Sequence, residues 1–141
     1  MGKNAKYGVD QAKPNPTYPS FQTKPDAAIV KPVITVDDDV VPGAEFFAET
    51  NWILPGAQGE IRLCESHTHA FGEMLGFYGY NYDNIQDLGA EIEIIIDNEI
   101  NMMDRSFAAY VPPGVQHGPI IVRNVQRPIF WVSSGRAPRY E

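Results

Sequence analysis

Residues 67 to 73 read HTHAFGE, holding two of the chain's three histidines and a carboxylate four positions past the second. The third histidine, His117, lies far along the chain in PPGVQHG. On a helix, positions 67 and 69 would point about 200° apart and could not grip one ion. Along a strand they leave the same face, with backbones about 6.6 Å apart, and their imidazoles can converge. The spacing therefore favours extended chain. Glu73 is four residues beyond His69, about 13 Å along a straight strand, so it joins the histidines only if the chain bends between them. Gly72 and the short HAFG stretch supply such a corner. His117 follows VPPG, a turn whose prolines and glycine restrict how the next strand enters.

A set made of His67, His69, Glu73 and His117 offers three neutral nitrogens and one hard oxygen. It suits one divalent transition metal ion, Fe(II) or Mn(II) ahead of Ni(II) or Zn(II), and not an all-oxygen calcium site. Four protein ligands on an octahedral ion leave two positions for a substrate, and one anionic ligand leaves about +1 net charge. An anionic or enolisable small molecule is the expected substrate. Oxygenase chemistry would use iron and dioxygen; an isomerase or lyase would need the metal as Lewis acid with a base beside it. A non-catalytic module binding a sugar or small acid would use the same ligands.

Glu65 shares the parity of His67 on an uninterrupted strand and is a candidate inward base, against a rim salt bridge. Tyr110 and Phe107 have opposite parity, so only one of them faces the interior. Gln116, next to His117, is placed to touch substrate or to brace the loop. Tyr78, Tyr80 and Tyr82 alternate along one face of a lid or strand, and Trp52 and Trp131 are expected in core or interface. Cys64 has the opposite parity to His67, is expected to face away from the metal, and is rejected as a ligand. It also lacks the neighbours of a nucleophile. Asp37, Asp38 and Asp39 lack the further oxygen ligands of a calcium loop and are expected to form a solvated turn. No dinucleotide or phosphate-binding glycine loop is present.

The elements that must position these residues are short apolar runs separated by turn chemistry: AIVKPVITV, AEFFAETNWIL, IRLCESHTHA, AEIEIIID, INMM, SFAAYV, PIIVRN and RPIFWVSS. Isoleucines 92, 94, 95 and 96 favour a pleated surface. Pro32 marks the first run as an edge strand or splits it. DNE reads as a hairpin turn. No long amphipathic helical pattern occurs, so the expected fold is all-β, an antiparallel barrel or sandwich.

Residues 1–27 are polar and rich in proline and read as an arm. Residues 28–134 form the barrel and 135–141 a tail.

These residues resemble the cupin superfamily. Its first motif carries two histidines one residue apart, then a glutamate and a later glycine, as in HTHAFGEMLGFYG through His67, His69, Glu73 and Gly79. The second resembles PxGxxH, matched by Pro112, Gly114 and His117; the family's asparagine falls at position 121, where Ile121 stands, and Asn124 follows three residues on. The resemblance covers residues 28 to 134. It implies a single-domain jelly-roll barrel with a divalent metal near one mouth, of the kind seen in small bacterial cupins of unassigned activity. It also implies pairing of barrels as a homodimer.

With 141 residues, an apolar fraction of 43% and seven phenylalanines, the chain can bury one modest core. Eleven basic against eighteen acidic residues give a net charge of -7, which argues against nucleic acid or an anionic membrane as partner. Cys64 is the single cysteine, so no intrachain disulfide forms. The opening residues lack an apolar leader-like stretch, and Gly2 lacks the later serine or threonine of an acylation signal because position 6 is lysine. The expectation is a soluble cytoplasmic protein.

Overall fold

The computed structural model describes residues 5–141; residues 1–4 of the arm, with Gly2, lie outside the described residues. Nine strands follow a short 3-10 turn: β1 (Val30–Val36), β2 (Phe47–Ile53), β3 (Ile61–Cys64), β4 (Glu73–Tyr78), β5 (Asp87–Ile96), β6 (Glu99–Arg105), β7 (Phe107–Val111), β8 (His117–Arg123) and β9 (Ile129–Gly135). They form two antiparallel sheets, one ordered β1-β2-β9-β4-β7 and the other β3-β8-β5-β6. Consecutive strands after β2 mostly switch sheets, so the chain wraps back and forth around a shared interior, as in a jelly roll.

Pro32 sits on β1, the edge of its sheet, and the register slips between Pro32 and Ile34, as expected of a residue that cannot donate to a ladder. Asp97 and Asn98, both with positive φ (50° and 64°), close the β5–β6 hairpin. The tyrosine-rich stretch around residue 78 contributes a strand that the sequence pattern hid. In β4, EMLGFY, the inward residues are Glu73, Leu75 and Phe77, so a buried carboxylate interrupts the apolar alternation.

Leu63, Phe77, Leu88, Ile92, Val122 and Ile129 are fully buried between the sheets. Burying such side chains supplies the main drive for folding, about 1.5–3 kcal/mol each. Inward residues of the five-stranded sheet stack in rows across paired strands. One row holds Phe47, Gly135 and Glu73; the next holds Glu49, Ser133 and Leu75; a third holds Asn51, Trp131 and Phe77. Polar groups thus collect toward one end of the interior.

Candidate metal centre

The run IRLCESHTHA does not continue as one strand. β3 stops at Cys64, and the chain then stays extended just long enough for His67 to bridge His117, with His67 N–H donating to His117 O (2.8 Å) and His117 N–H to His67 O (2.9 Å). A bend at Ala70 and Phe71 follows, and Glu73 opens β4 in the opposite sheet. The corner expected at HAFG is therefore the crossing between sheets. Gly118 permits this approach: its φ is +92°, and a Cβ there would meet the Glu65 carbonyl oxygen at 2.6 Å. Gly79, the later glycine of the first motif, is similarly pressed onto the backbone of Asp87 and Leu88.

The four side chains converge. Nitrogen or oxygen atoms of His67, His69, Glu73 and His117 all lie within 4.8 Å of one another. His67 Nε2 is 3.0 Å from His69 Nε2, and His117 Nε2 is 3.0 Å from Glu73 Oε1, which lies 3.5 Å from His69 Nε2. His69, Glu73 and His117 are buried and His67 is partly so.

The other ring nitrogens settle the proton arrangement. His67 Nδ1 lies 2.7 Å from the Glu65 carbonyl oxygen, His69 Nδ1 2.5 Å from a main-chain oxygen of Glu141, and His117 Nδ1 3.1 Å from the carbonyl oxygen of Val115. Such an oxygen only accepts, so each Nδ1 carries a hydrogen and donates. In the neutral rings every Nε2 is then a lone pair aimed at the shared centre. Carbonyls that fix the tautomer in this way are what ligating histidines commonly use.

Glu73 adds a negative charge to the same point. Burial pushes its carboxyl up, while the Ser133 hydroxyl, donating at 2.7 Å, pulls it back toward the charged form. Burial pushes His67 down to about 4, with its histidine neighbours adding to the effect, so that ring is neutral at ordinary pH. Three inward lone pairs and a buried carboxylate repel one another unless a cation sits among them. The donor set fits a divalent transition metal.

Both motifs thus meet at one centre between the two sheets of a jelly roll. The architecture is a jelly-roll β sandwich.

No protein-family model matches the chain, and no curated protein matches it. Similar solved structures include an RmlC-like cupin from Shewanella frigidimarina, 15% identical with a TM-score of 0.47, covering 94% of this chain and 96% of that one. A cupin protein from Bacteroides fragilis is 19% identical with a TM-score of 0.45, covering 88% and 91%. KdgF from Halomonas sp. is 16% identical with a TM-score of 0.45, covering 88% and 97%. At such identities and TM-scores the likeness carries no argument about the site or its activity.

In this barrel the four-residue cluster forms one wall of a cavity of about 310 Å³. His67, Glu73 and His117 line it together with Glu49, Asn51, Ser133 and Tyr140. The arm and the tail close over it. Phe21 stacks on His67 with ring centroids 3.7 Å apart and planes at 4°, and Phe21 O accepts from Glu65 N–H. Tyr140 packs its ring against Phe21 and Phe47, 5.3 Å from His69. The acidic turn fastens both coverings. Lys13 Nζ bonds Asp37 (2.8 Å) and Asp39 (2.6 Å), while Arg139 bonds Asp38 (3.0 Å) and Asp39 (2.8 Å). The expectation of a solvated turn is corrected here: Asp37 is only 3% exposed because it anchors the arm.

Other expected site residues lie elsewhere. Glu65 does not face the metal; the strand ends before it, and its exposed carboxylate pairs with Arg62 at 3.1 Å while its carbonyl serves His67. Tyr110 is exposed on the outer face of β7, and Phe107 packs inward, as their opposite parity requires. Gln116 braces the histidine loop by donating to Ser66 Oγ at 2.7 Å and does not line the cavity. Tyr78, Tyr80 and Tyr82 are exposed, with Tyr82 OH donating to Tyr80 OH at 2.8 Å. Trp131 lies in the core and Trp52 on the opposite side of its sheet.

Cys64 lies outside the ligand cluster, yet it lines the cavity and does not face away. A register slip between Arg62 and Cys64 breaks the alternation, so Leu63 and Cys64 are both buried. Burial pushes its thiol up to about 12.

The sequence reading passed over Glu49, Ser133, Phe21, Tyr140 and Lys13. Glu49 had a signal, since it shares parity with the apolar Phe47 and Ile53 in AEFFAETNWIL. Phe21 and Tyr140 had none, because contacts made by an arm and a tail leave no periodicity.

Proposed function

We propose that His67, His69, Glu73 and His117 hold one divalent transition metal ion, Fe(II) or Mn(II) ahead of Ni(II) or Zn(II), and that the protein is an enzyme acting on an anionic or enolisable small molecule. The observation that carries this is the shared aim of three Nε2 lone pairs and one carboxylate, each imidazole locked by a main-chain oxygen on its far side. When bound, such an ion supplies Lewis acidity and, as iron, redox chemistry with dioxygen.

The chain's own residues do the remaining work. Glu73 is the one anionic ligand, leaving the loaded centre about +1, which favours an anionic substrate oxygen. Ser133 holds the Glu73 carboxylate in one orientation. Phe21 and Tyr140 cover part of the histidine cluster, which lowers the local dielectric and strengthens the electrostatic contacts inside. A dioxygenase needs no further acid or base. Isomerase or lyase chemistry does, and the presence of Glu49 on the cavity wall favours that second reading.

Anaerobic purification with elemental analysis, followed by a metabolite screen under an oxygen electrode, tests these readings. About one transition metal ion per chain and substrate-dependent oxygen uptake select the dioxygenase; turnover without uptake selects the isomerase or lyase. A protein that takes up no transition metal refutes the proposal, and full loading without turnover of any acid or carbonyl compound reduces it to a binding module.

A further inference from the structure

Glu49 occupies an unusual position. It points inward from β2, between the fully buried Phe47 and Ile53, in the row that runs Glu49, Ser133, Leu75 across β2, β9 and β4. Ser133 in that row donates to Glu73, so Glu49 stands beside the residue that orients a metal ligand. It lines the same cavity as His67, Glu73 and His117. Among the described residues its carboxyl makes no hydrogen bond or ion pair, in contrast to every other acid near the cavity: Glu73 has Ser133, Asp37 has Lys13, Glu65 has Arg62. Asn51, one inward row further along β2, lines the cavity and is likewise without a side-chain partner among the described residues. Inward polar groups with no protein partner that open onto a cavity are free to meet a ligand there.

We propose that Glu49 is the proton-exchanging group of this cavity, presenting its carboxyl proton to an oxygen of the small organic anion bound at the metal centre. The proposal rests on the metal reading above. In the step itself the Glu49 O–H bond breaks as the ligand O–H bond forms, and the carboxylate regains its proton from water.

The surroundings keep the proton on Glu49 in the relevant range. Burial is the largest influence and Asp37 the next, Lys13 pulls the other way, and Glu73 adds a smaller push, so the carboxyl is raised to about 7. From the arm Lys13 and Tyr18 face it, from the turn after β1 Asp37, from β4 Glu73, and from the tail Tyr140. Across the cavity stand His67, His117 and Cys64. An incoming anion adds to the negative side and makes proton uptake on binding the expected signature.

Calorimetric titration of Mn(II)-loaded protein with oxalate, between pH 7 and 9 and in buffers of different ionisation heat, tests this. Wild type should take up no more than about half a proton per oxalate at pH 7 and close to one at pH 9, with affinity falling up to tenfold per pH unit toward the alkaline end. Glu49→Gln, a near-isosteric change, should bind oxalate with no proton uptake and a flat pH profile, and Glu49→Asp should restore the slope. Equal proton uptake in wild type and Glu49→Gln, or none in wild type, overturns the proposal. If wild type takes up no metal, the functional reading fails by itself. Carboxyl ¹³C NMR of the metal-free protein still decides on Glu49: a resonance titrating near neutrality and lost in Glu49→Gln supports it, and its absence overturns it.

Discussion

Glu73→Gln separates a metal centre from a buried network of protons. The substitution keeps the shape of the side chain and removes its charge. In the metal-free protein the Ser133 hydroxyl can still donate to the amide oxygen, and the new NH₂ can donate to the Nε2 lone pair of His117, which now lies 3.0 Å from Glu73 Oε1. A repulsive contact becomes a hydrogen bond, so the metal-free variant should melt no lower than wild type. Metal binding should suffer instead. With all donor atoms within 4.8 Å of one another, a cation among them feels the Glu73 charge at no more than about 4 Å. At an effective dielectric constant near 20 that is about 4 kcal/mol per unit charge. For a divalent ion this doubles to about 8 kcal/mol, so at about 1.4 kcal/mol per decade the dissociation constant should rise by roughly five orders of magnitude. The assay is a pair of thermal melts, with chelator and with saturating Mn(II) or Zn(II), alongside calorimetric titration. Wild type gains about 2.7 kcal/mol at a metal concentration 100 times Kd, and the variant should gain almost nothing at the same concentration. If the cluster were instead a carboxylate paired with imidazolium, the same substitution would break a buried ion pair and destabilise the metal-free protein by about 3–5 kcal/mol. A variant that melts much lower without metal, yet binds metal like wild type, would refute the reasoning.

Three further outcomes follow from the same contacts. Cys64→Ser should leave metal content unchanged while His67→Ala and His117→Ala sharply lower it, and the wild-type thiol, pushed up to about 12 by burial, should react with alkylating reagents far more slowly in the native than in the unfolded protein. The metal-free protein should lose stability to urea as pH falls from about 6.5 toward 4: His67 is neutral in the fold but takes a proton when unfolded in that window, and His67→Ala should flatten the slope. Lys13→Ala leaves the buried Asp37 carboxylate with the Val40 N–H and no cation, which should cost about 1–3 kcal/mol in chemical denaturation and hasten proteolysis within the arm.

The sequence by itself determined the strand class and most strand positions, because alternation and turn residues are local properties of the chain. It also pointed to the four side chains that converge, since HTH spacing makes sense on extended chain and the HAFG corner lets Glu73 turn back toward the histidines. The limits appear where local regularity breaks. Parity put Glu65 inward and Cys64 outward; a register slip at Cys64 and the end of β3 reversed both. β4 stayed hidden because its first inward residue is a carboxylate, held there by a hydroxyl from β9. Tertiary structure alone decided what surrounds the metal centre. Phe21 meets His67, and a main-chain oxygen of Glu141 meets the ring of His69 72 residues away in sequence. Glu49 owes its upward shift to burial and to charges brought from a turn and another strand. Such contacts depend on which segments fold onto the cavity, and no periodicity of the chain encodes them.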